Sequence, residues 1–277
     1  MSRRAIDGVR RHPLTLLGLL LIGGVTLLAL LADVVTPYPE HAGLKINMGE
    51  KLRPPSARHP FGTDELGRDV LTRVIYGARV SVAAGVSIVV LTALLGVPLG
   101  AIAGYRDNWL SSAIMRTADV FMSVPYLALA LGLAAALGAD IVHASIAVAI
   151  PWWPWYARVV RSQVLTLRGS AFVEAARALG RSDATIVFRH ILPNCAGVIV
   201  VQATLQLGLA ILTVGALGFL GMGARPPMPE WGLMIATGRN FLPTWWWPAL
   251  FPGVLLFATV LGFNLVGDGL RDLIAGD

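Results

Sequence analysis

Long apolar runs alternate with short polar ones along this chain, and six of the runs approach the roughly 20 residues that a spanning helix needs. They cover Leu14–Ala32, Val80–Gly104, Val120–Ala139, Ile141–Ala157, Ala196–Ala224 and Pro248–Gly267. The fourth is short and holds Pro151 and Pro154, breaks that neighbouring helices in a bundle can tolerate. The fifth is long enough to tilt or to extend past the bilayer. Among the polar stretches, residues 33–79 are rich in proline and mixed charge up to Pro60. From Thr63 the pattern changes. Leu66, Val70 and Val74 recur every four residues with Leu71 and Ile75 beside them, which predicts an amphipathic helix in the outer interface feeding the second span. Asp64 and Glu65 favour its N-terminal dipole, and Asp64–Arg68 and Asp69–Arg73 fall at pairing distance on its polar side.

Composition agrees with an all-α integral membrane protein. The 277 residues are 56% hydrophobic and only 14% charged, against about 25% charged in soluble domains, and the mean hydropathy is +0.69. Arginines near the span ends set the orientation. Arg3, Arg4, Arg10, Arg11, Arg106, Arg116, the group from Arg158 to Arg189, and Arg271 all fall on one side, while the basic residues of 33–79 are offset by six acids. Both termini are therefore expected in the cytoplasm. Trp109, Trp152, Trp153, Trp155, Trp231 and Trp245–Trp247 lie at predicted span ends, where aromatic belts form. The first apolar run exceeds the roughly 7–15 residues of a signal-peptide core and lacks a small-residue cleavage site, so it reads as a retained helix. The net charge of +6 is assigned to membrane borders and lipid headgroups rather than to nucleic acid.

Missing chemistry narrows the function. The only lysines are Lys45 and Lys51, neither in a GxxxxGK[ST] loop, so no Walker-type ATP site is present. The five histidines are scattered and the lone Cys195 has no metal-type spacing, which leaves no metal site to propose. No GxSxG supports a serine hydrolase, and no catalytic residue is assigned. An ion-coupled carrier buries ionisable groups mid-membrane. Here Asp119, three residues after Arg116, reads as a structural pair at the inner border, His143 as a satisfied polar residue, and Asp140 as a turn residue. The chain reads as a conduit powered from elsewhere.

The polar island Glu174–Asn194, EAARALGRSDATIVFRHILPN, is the exception to this apolar pattern. Ser170 is a candidate N-cap for a helix over Ala171–Leu179, and Gly180 sits where a left-handed stop is wanted. Ser182 caps a second helix with Asp183 in its first turn, running to about Ile191 before Pro193 ends it. Ala175, Ala176 and Ala178 are small enough for another surface to approach. Two short helices hinged at glycine make a rigid knuckle on the inner side.

Glu174-Ala175-Ala176, Gly180 and Leu192-Pro193 resemble the EAA loop of permease subunits of ATP-binding-cassette (ABC) importers. His190 replaces an isoleucine common in that pattern, a polar variant found in peptide importers. FGTDELGRDVLTRVIYGARVS (61–81), FLGMGARPPMPEWGLM (219–234) and FNLVGDGLRD (263–272) are similar to the dipeptide, oligopeptide and nickel branch, and most similar to its dipeptide C-type subunit. The resemblance implies a type I ABC importer fold with six transmembrane helices. It divides the chain into residues 1–60 (tail, first span, start of the outer loop) and a core permease domain, 61–277, with a coupling loop at 158–195. It implies that the first span packs against a partner permease. It also implies a second homologous permease subunit, two cytoplasmic ATP-binding subunits that hold ATP and magnesium, and an extracytoplasmic substrate-binding protein, in a bacterial inner membrane. The EAA loop would then be the ATPase-coupling surface. Asp64, Arg68 and Asp69 are read as bracing the outer loop rather than docking the binding protein; Glu230 and Trp231 face the same choice, left open. Asp268, Arg271 and Asp272 are expected beyond the last span, anchoring it against the coupling region. Peptides are the expected cargo, nickel chelates or glutathione the alternatives within the family, and an ion-coupled carrier the alternative from another class.

Overall fold

The computed structural model describes residues 13–275, so the arginines at positions 3, 4, 10 and 11 lie outside it. Among the described residues there is no strand, only a single bridge between Thr63 and Asp69. Nine helices carry the fold: α1 Pro13–Leu30, α2 Val70–Tyr105, α3 Trp109–Ser123, α4 Tyr126–Leu137, α5 Ile141–Leu167, α6 Ala171–Ala178, α7 Leu192–Phe219, α8 Trp231–Gly238 and α9 Trp247–Ala275. Four helical stretches are long and apolar enough to cross a membrane: α1, α2, α7 with its N-terminal extension, and α9. The pair α3–α4 makes a fifth if it is counted as one bent span.

The predicted amphipathic helix from Thr63 is not formed. The chain stays irregular to Asp69, whose carboxylate accepts from the Thr72 amide at 2.8 Å and caps α2. Leu66 thus lies outside the helix, and the apolar positions Val70, Val74 and Ile75 are core rather than interface. At 36 residues, α2 is about 54 Å long and joins the two ends of the molecule.

The predicted span Val120–Ala139 is broken. Val124 precedes Pro125 and takes the extended conformation that the proline ring enforces, and α3 and α4 meet there at 90°. The fourth predicted span runs on well past Ala157, to Leu167, despite Pro151 and Pro154. Residues 158–167, assigned by sequence to the cytoplasmic segment, are therefore helix.

Three glycines at four-residue spacing explain how α5 is held. A Cβ at Gly96 would lie 2.5 Å from the Trp153 carbonyl oxygen, one at Gly100 2.5 Å from that of Ala157, and one at Gly104 2.8 Å from that of Arg161. The bare stripe lets α2 and α5 meet backbone to backbone, which is how membrane helices gain dispersion contact without a hydrophobic driving force. Above this seam, Ile88 of α2, Val148 and Trp152 of α5, and Val214 and Leu217 of α7 form one apolar cluster. Trp152 is fully buried there, with Trp153 nearly so, so neither belongs to an aromatic belt. Trp231 and Trp247 are buried as well, whereas Trp109, Trp245 and Trp246 keep the exposure the belt reading requires.

Helix α1 lies on α9 of the same chain, crossing at Gly18 and Gly262. Its other face, including Leu14, Leu20, Leu27 and Leu30, is exposed. The contact that α1 makes within the chain is thus with α9, and the opposite face is left uncovered by it.

Substituting Gly100→Ala should force α2 and α5 apart and cost roughly 1–3 kcal/mol, read as a lower unfolding temperature in detergent. Gly132→Ala, which meets nothing within 4 Å on α4, should be neutral or stabilise by up to about 1 kcal/mol.

Candidate functional site

The segment after α5 folds as the knuckle its sequence describes, with two differences. Helix α6 ends in a Schellman closure: Gly180 has φ +72°, its amide donates to the Arg177 carbonyl, and the Arg181 amide donates to that of Ala176. Ser170 takes the extended N-cap backbone, but its hydroxyl donates back to Leu167 at 2.6 Å instead of capping α6. Ser182 does cap, accepting from the Thr185 amide at 3.3 Å.

The second difference is at Pro193, which does not stop the helix. Asp183–Thr185 passes through a π turn at Ile186–Ile191 directly into α7, giving 37 continuous helical residues to Phe219. A proline inside an α-helix removes one bond and clashes with the carbonyl four residues back. Here the wider turn, with the Leu192 amide donating to Val187, carries the chain past that point.

One side of the knuckle is buried. Val173, Ala176, Ile186, Val187 and Ile191 pack with Ala101 of α2, Val160 and Val164 of α5, and Cys195 of α7. The opposite side shows Phe172, Glu174, Ala175, Leu179, Gly180, Phe188 and Pro193 to solvent, while Leu192 is half-buried. Tyr105, the last residue of α2, ties the two halves together: its hydroxyl donates to Asp183 at 2.8 Å, and the Arg177 guanidinium lies 5.4 Å over its ring. Sequence reasoning missed this tyrosine because its partners are 72 and 78 positions away.

The outer motif residues gather at the far end of α2 and are buried: Asp64 is 6% exposed, Arg68 5% and Asp69 0%. Asp64 accepts from the Leu66 and Arg68 amides, pairs with Arg68 at 2.7 Å and faces Arg73 at 3.4 Å. The predicted Asp69–Arg73 side-chain pair is absent. Asp69 instead faces His59, which sits between two carboxylates, Nδ1 2.8 Å from Asp69 and Nε2 2.9 Å from Glu50. The Asp69 amide donates to His41 Nδ1 at 2.9 Å, and burial pushes the His41 pKa down. The hydrogen bond from His59 holds the Glu50 carboxyl below its ordinary value, and burial raises that of Glu65. Arg73 donates to the Pro227 carbonyl and Trp247 Nε1 to that of Thr63 at 3.0 Å, so three outer segments close on one another.

Glu230 and Trp231 belong to this closure. The Glu230 carboxylate caps α8, accepting from the Gly232 and Leu233 amides at 2.8 Å and from Ser81 at 3.3 Å. Burial nonetheless raises its pKa. Trp231 Nε1 donates to the Val74 carbonyl at 2.9 Å. Both side chains are fully buried, so bracing is what this geometry provides.

Two further expectations change. Asp119 pairs with Arg158 of α5 and not with Arg116. Asp268, Arg271 and Asp272 are carried on α9 itself, and Asp268 and Asp272 line a cavity beside Pro13–Thr15 of α1. The contact with the start of α7 is made instead by Ile274, beside Gly197. His143 and Asp140 are as read, the first near the Gly138 carbonyl and the second capping α5.

The structure is a bundle of membrane-type helices with a closed polar cap at one end and a half-exposed helical knuckle at the other. The chain belongs to the family described as binding-protein-dependent transport system inner membrane component, matched over residues 96–276. It is 43% identical over 272 residues to the dipeptide transport system permease protein DppC of Alkalihalophilus pseudofirmus, covering 98% of this chain and 88% of that one. It is also 43% identical over 220 residues to the glutathione transport system permease protein GsiD of Pectobacterium atrosepticum, covering 79% and 73%. In fold it is similar to the MetNI methionine ABC transporter in inward-facing conformation, with a TM-score of 0.58 at 19% identity over 73% of this chain and 95% of that one. The protein is thus an ABC-importer permease of the bacterial inner membrane.

The His41 site has a pH dependence with a definite sign. A depressed folded pKa means that its contribution is complete above the ordinary value of 6.5 and is lost as pH falls through the lower folded value. Hydrogen exchange at the Asp69 amide, corrected for intrinsic rates, should therefore accelerate on acidification below 6.5, and His41→Gln should abolish the step.

Proposed function

We propose that this chain is one of two homologous permease subunits of an importer that moves di- or oligopeptides by alternating access. The observation that carries the reading is the knuckle: a helical surface presenting Phe172, Glu174 and Leu179 outward, continuous with α7. Glu174, Ala175, Gly180 and Pro193, with half-buried Leu192 beside them and Ala176 packed beneath against the bundle, form the coupling surface for one of two separate ATP-binding subunits, which hold ATP and magnesium. Their closure on ATP would press this knuckle towards its counterpart on the other permease and turn the pathway outward. The other end of the bundle receives an extracytoplasmic binding protein, with Asp64, Arg68, Asp69, Glu230 and Trp231 bracing the receiving surface.

Six membrane crossings, with both termini cytoplasmic, fit this role. They are the four apolar helical stretches, the bent α3–α4 pair and α5, whose 27 residues are long enough to span. Peptide cargo is favoured by the dipeptide transporter among the relatives. Glutathione is the second choice, on the likeness to a glutathione permease.

Reconstituted with its partner subunits, the chain should support peptide uptake that requires ATP. Uptake by this chain alone, driven by an ion gradient, would overturn the proposal. Gly180→Val forces a β-branched residue into a left-handed turn, and Glu174→Lys reverses the charge on the exposed face. Each should lower ATP-driven uptake roughly tenfold, with the protein still in the membrane. Normal transport by both variants with the ATPases attached would refute the coupling assignment.

A further inference from the structure

One pair of charges lies where an apolar bundle has little reason to keep any. Asp119 of α3 and Arg158 of α5 form an ion pair with side chains 61% and 49% exposed. Their depth follows from their neighbours. Ser111, near the start of α3, donates to the Ala103 carbonyl of α2, and further along Ala118 packs with Trp153 and Ala157. Those are the α5 residues that meet Gly96 and Gly100, so α3 climbs beside the glycine seam, and the pair lies inward of Tyr105. Along its length α2 exposes apolar side chains such as Leu94, Leu95 and Ile102.

Charged side chains at that depth avoid lipid and face water or protein. The rest of α3 agrees. Ser112, Arg116, Asp119 and Ser123, spaced four, three and four residues apart, are all exposed and share one face of the helix. Next to that face is a cavity of about 370 Å³ lined by Met115, Asp119, Arg158, Arg161, Ser162 and Leu165. Arg161 is turned aside, its Nε donating to the Ala103 carbonyl at 3.4 Å. Asp119 and Arg158, paired with each other, border the cavity together with the guanidinium of Arg161.

We propose that this cavity is a contact site for the zwitterionic ends of a peptide in the inner half of the conduit. The substrate ammonium binds the Asp119 carboxylate, and the substrate carboxylate binds the Arg158 guanidinium. The resting ion pair opens to admit the ligand and exchanges each partner for one of equal charge, so no charge is stranded at any stage. Such an exchange holds the substrate weakly, as a conduit requires, and it selects for a ligand bearing one charge of each sign. The site rests on the peptide reading of the function above.

Two measurements on the reconstituted complex test it, with its ATPases and binding protein present and dialanine as the probe. Ser162→Cys, which leaves both charges in place, should react with a charged thiol reagent much faster than Leu94→Cys on the exposed apolar face of α2. The wild-type chain, whose Cys195 is buried, gives the background. Asp119→Asn and Arg158→Gln should each slow dialanine uptake at saturation by about tenfold, the loss of one charge-assisted hydrogen bond. The proposal is overturned if Ser162→Cys is as unreactive as Leu94→Cys, or if both charge variants carry dialanine at the wild-type rate. Failure of the wild type to take up dialanine with ATP would count against peptide cargo and be visible before any variant is made; labelling at Ser162→Cys would still decide whether the cavity is wet.

Discussion

Backbone contact between α2 and α5 along Gly96, Gly100 and Gly104 is the constraint on which the other packing depends. In lipid, apolar side chains gain little by meeting one another, so close approach has to be supplied by small residues. The stripe supplies it at three successive turns and fixes α5 against the 36-residue α2. With α5 placed, Val160 and Val164 become the floor on which Val173, Ile186 and Ile191 of the knuckle rest. Trp153 and Ala157 likewise become the wall against which α3 climbs. The seam therefore positions both the inner surface and the polar face of α3.

At the opposite end the stabilising interactions change character. There the chain has no regular structure between residues 51 and 69, and its order comes from charged groups that satisfy one another out of water. Asp64 gathers Arg68, Arg73 and two backbone amides, and His59 bridges Asp69 and Glu50. Buried charges of this kind add little net stability when paired, but removing one partner leaves the other stranded at a cost of about 3–5 kcal/mol.

Most of this fold was legible from hydropathy, because lipid demands long apolar helices and the chain has little else. What periodicity could not supply was where helices break or continue. Val124–Pro125 bends a run that reads as one span, whereas α5 runs on through Pro151 and Pro154 and a π turn carries the chain past Pro193. The EAARALG knuckle was readable down to the left-handed Gly180, since caps and stops are local. The partners of Asp119, Asp69 and Tyr105 were not, since each depends on how separate segments of the chain come together. The glycine stripe was visible in GVPLGAIAGY as a small-residue repeat and could have announced the α2–α5 seam.

The π turn at Ile186–Ile191 sets an azimuth. An α-helix turns by about 100° per residue, and a π turn is in effect one residue more than the α-helix would use. Because the helix is otherwise unbroken from Asp183 to Phe219, that extra residue fixes the direction in which the knuckle points relative to the membrane-embedded part of α7. Shortening the turn by one residue would leave every side chain chemically intact and aim Phe188 about a quarter turn away. The orientation of the knuckle is thus specified by chain length as much as by residue type.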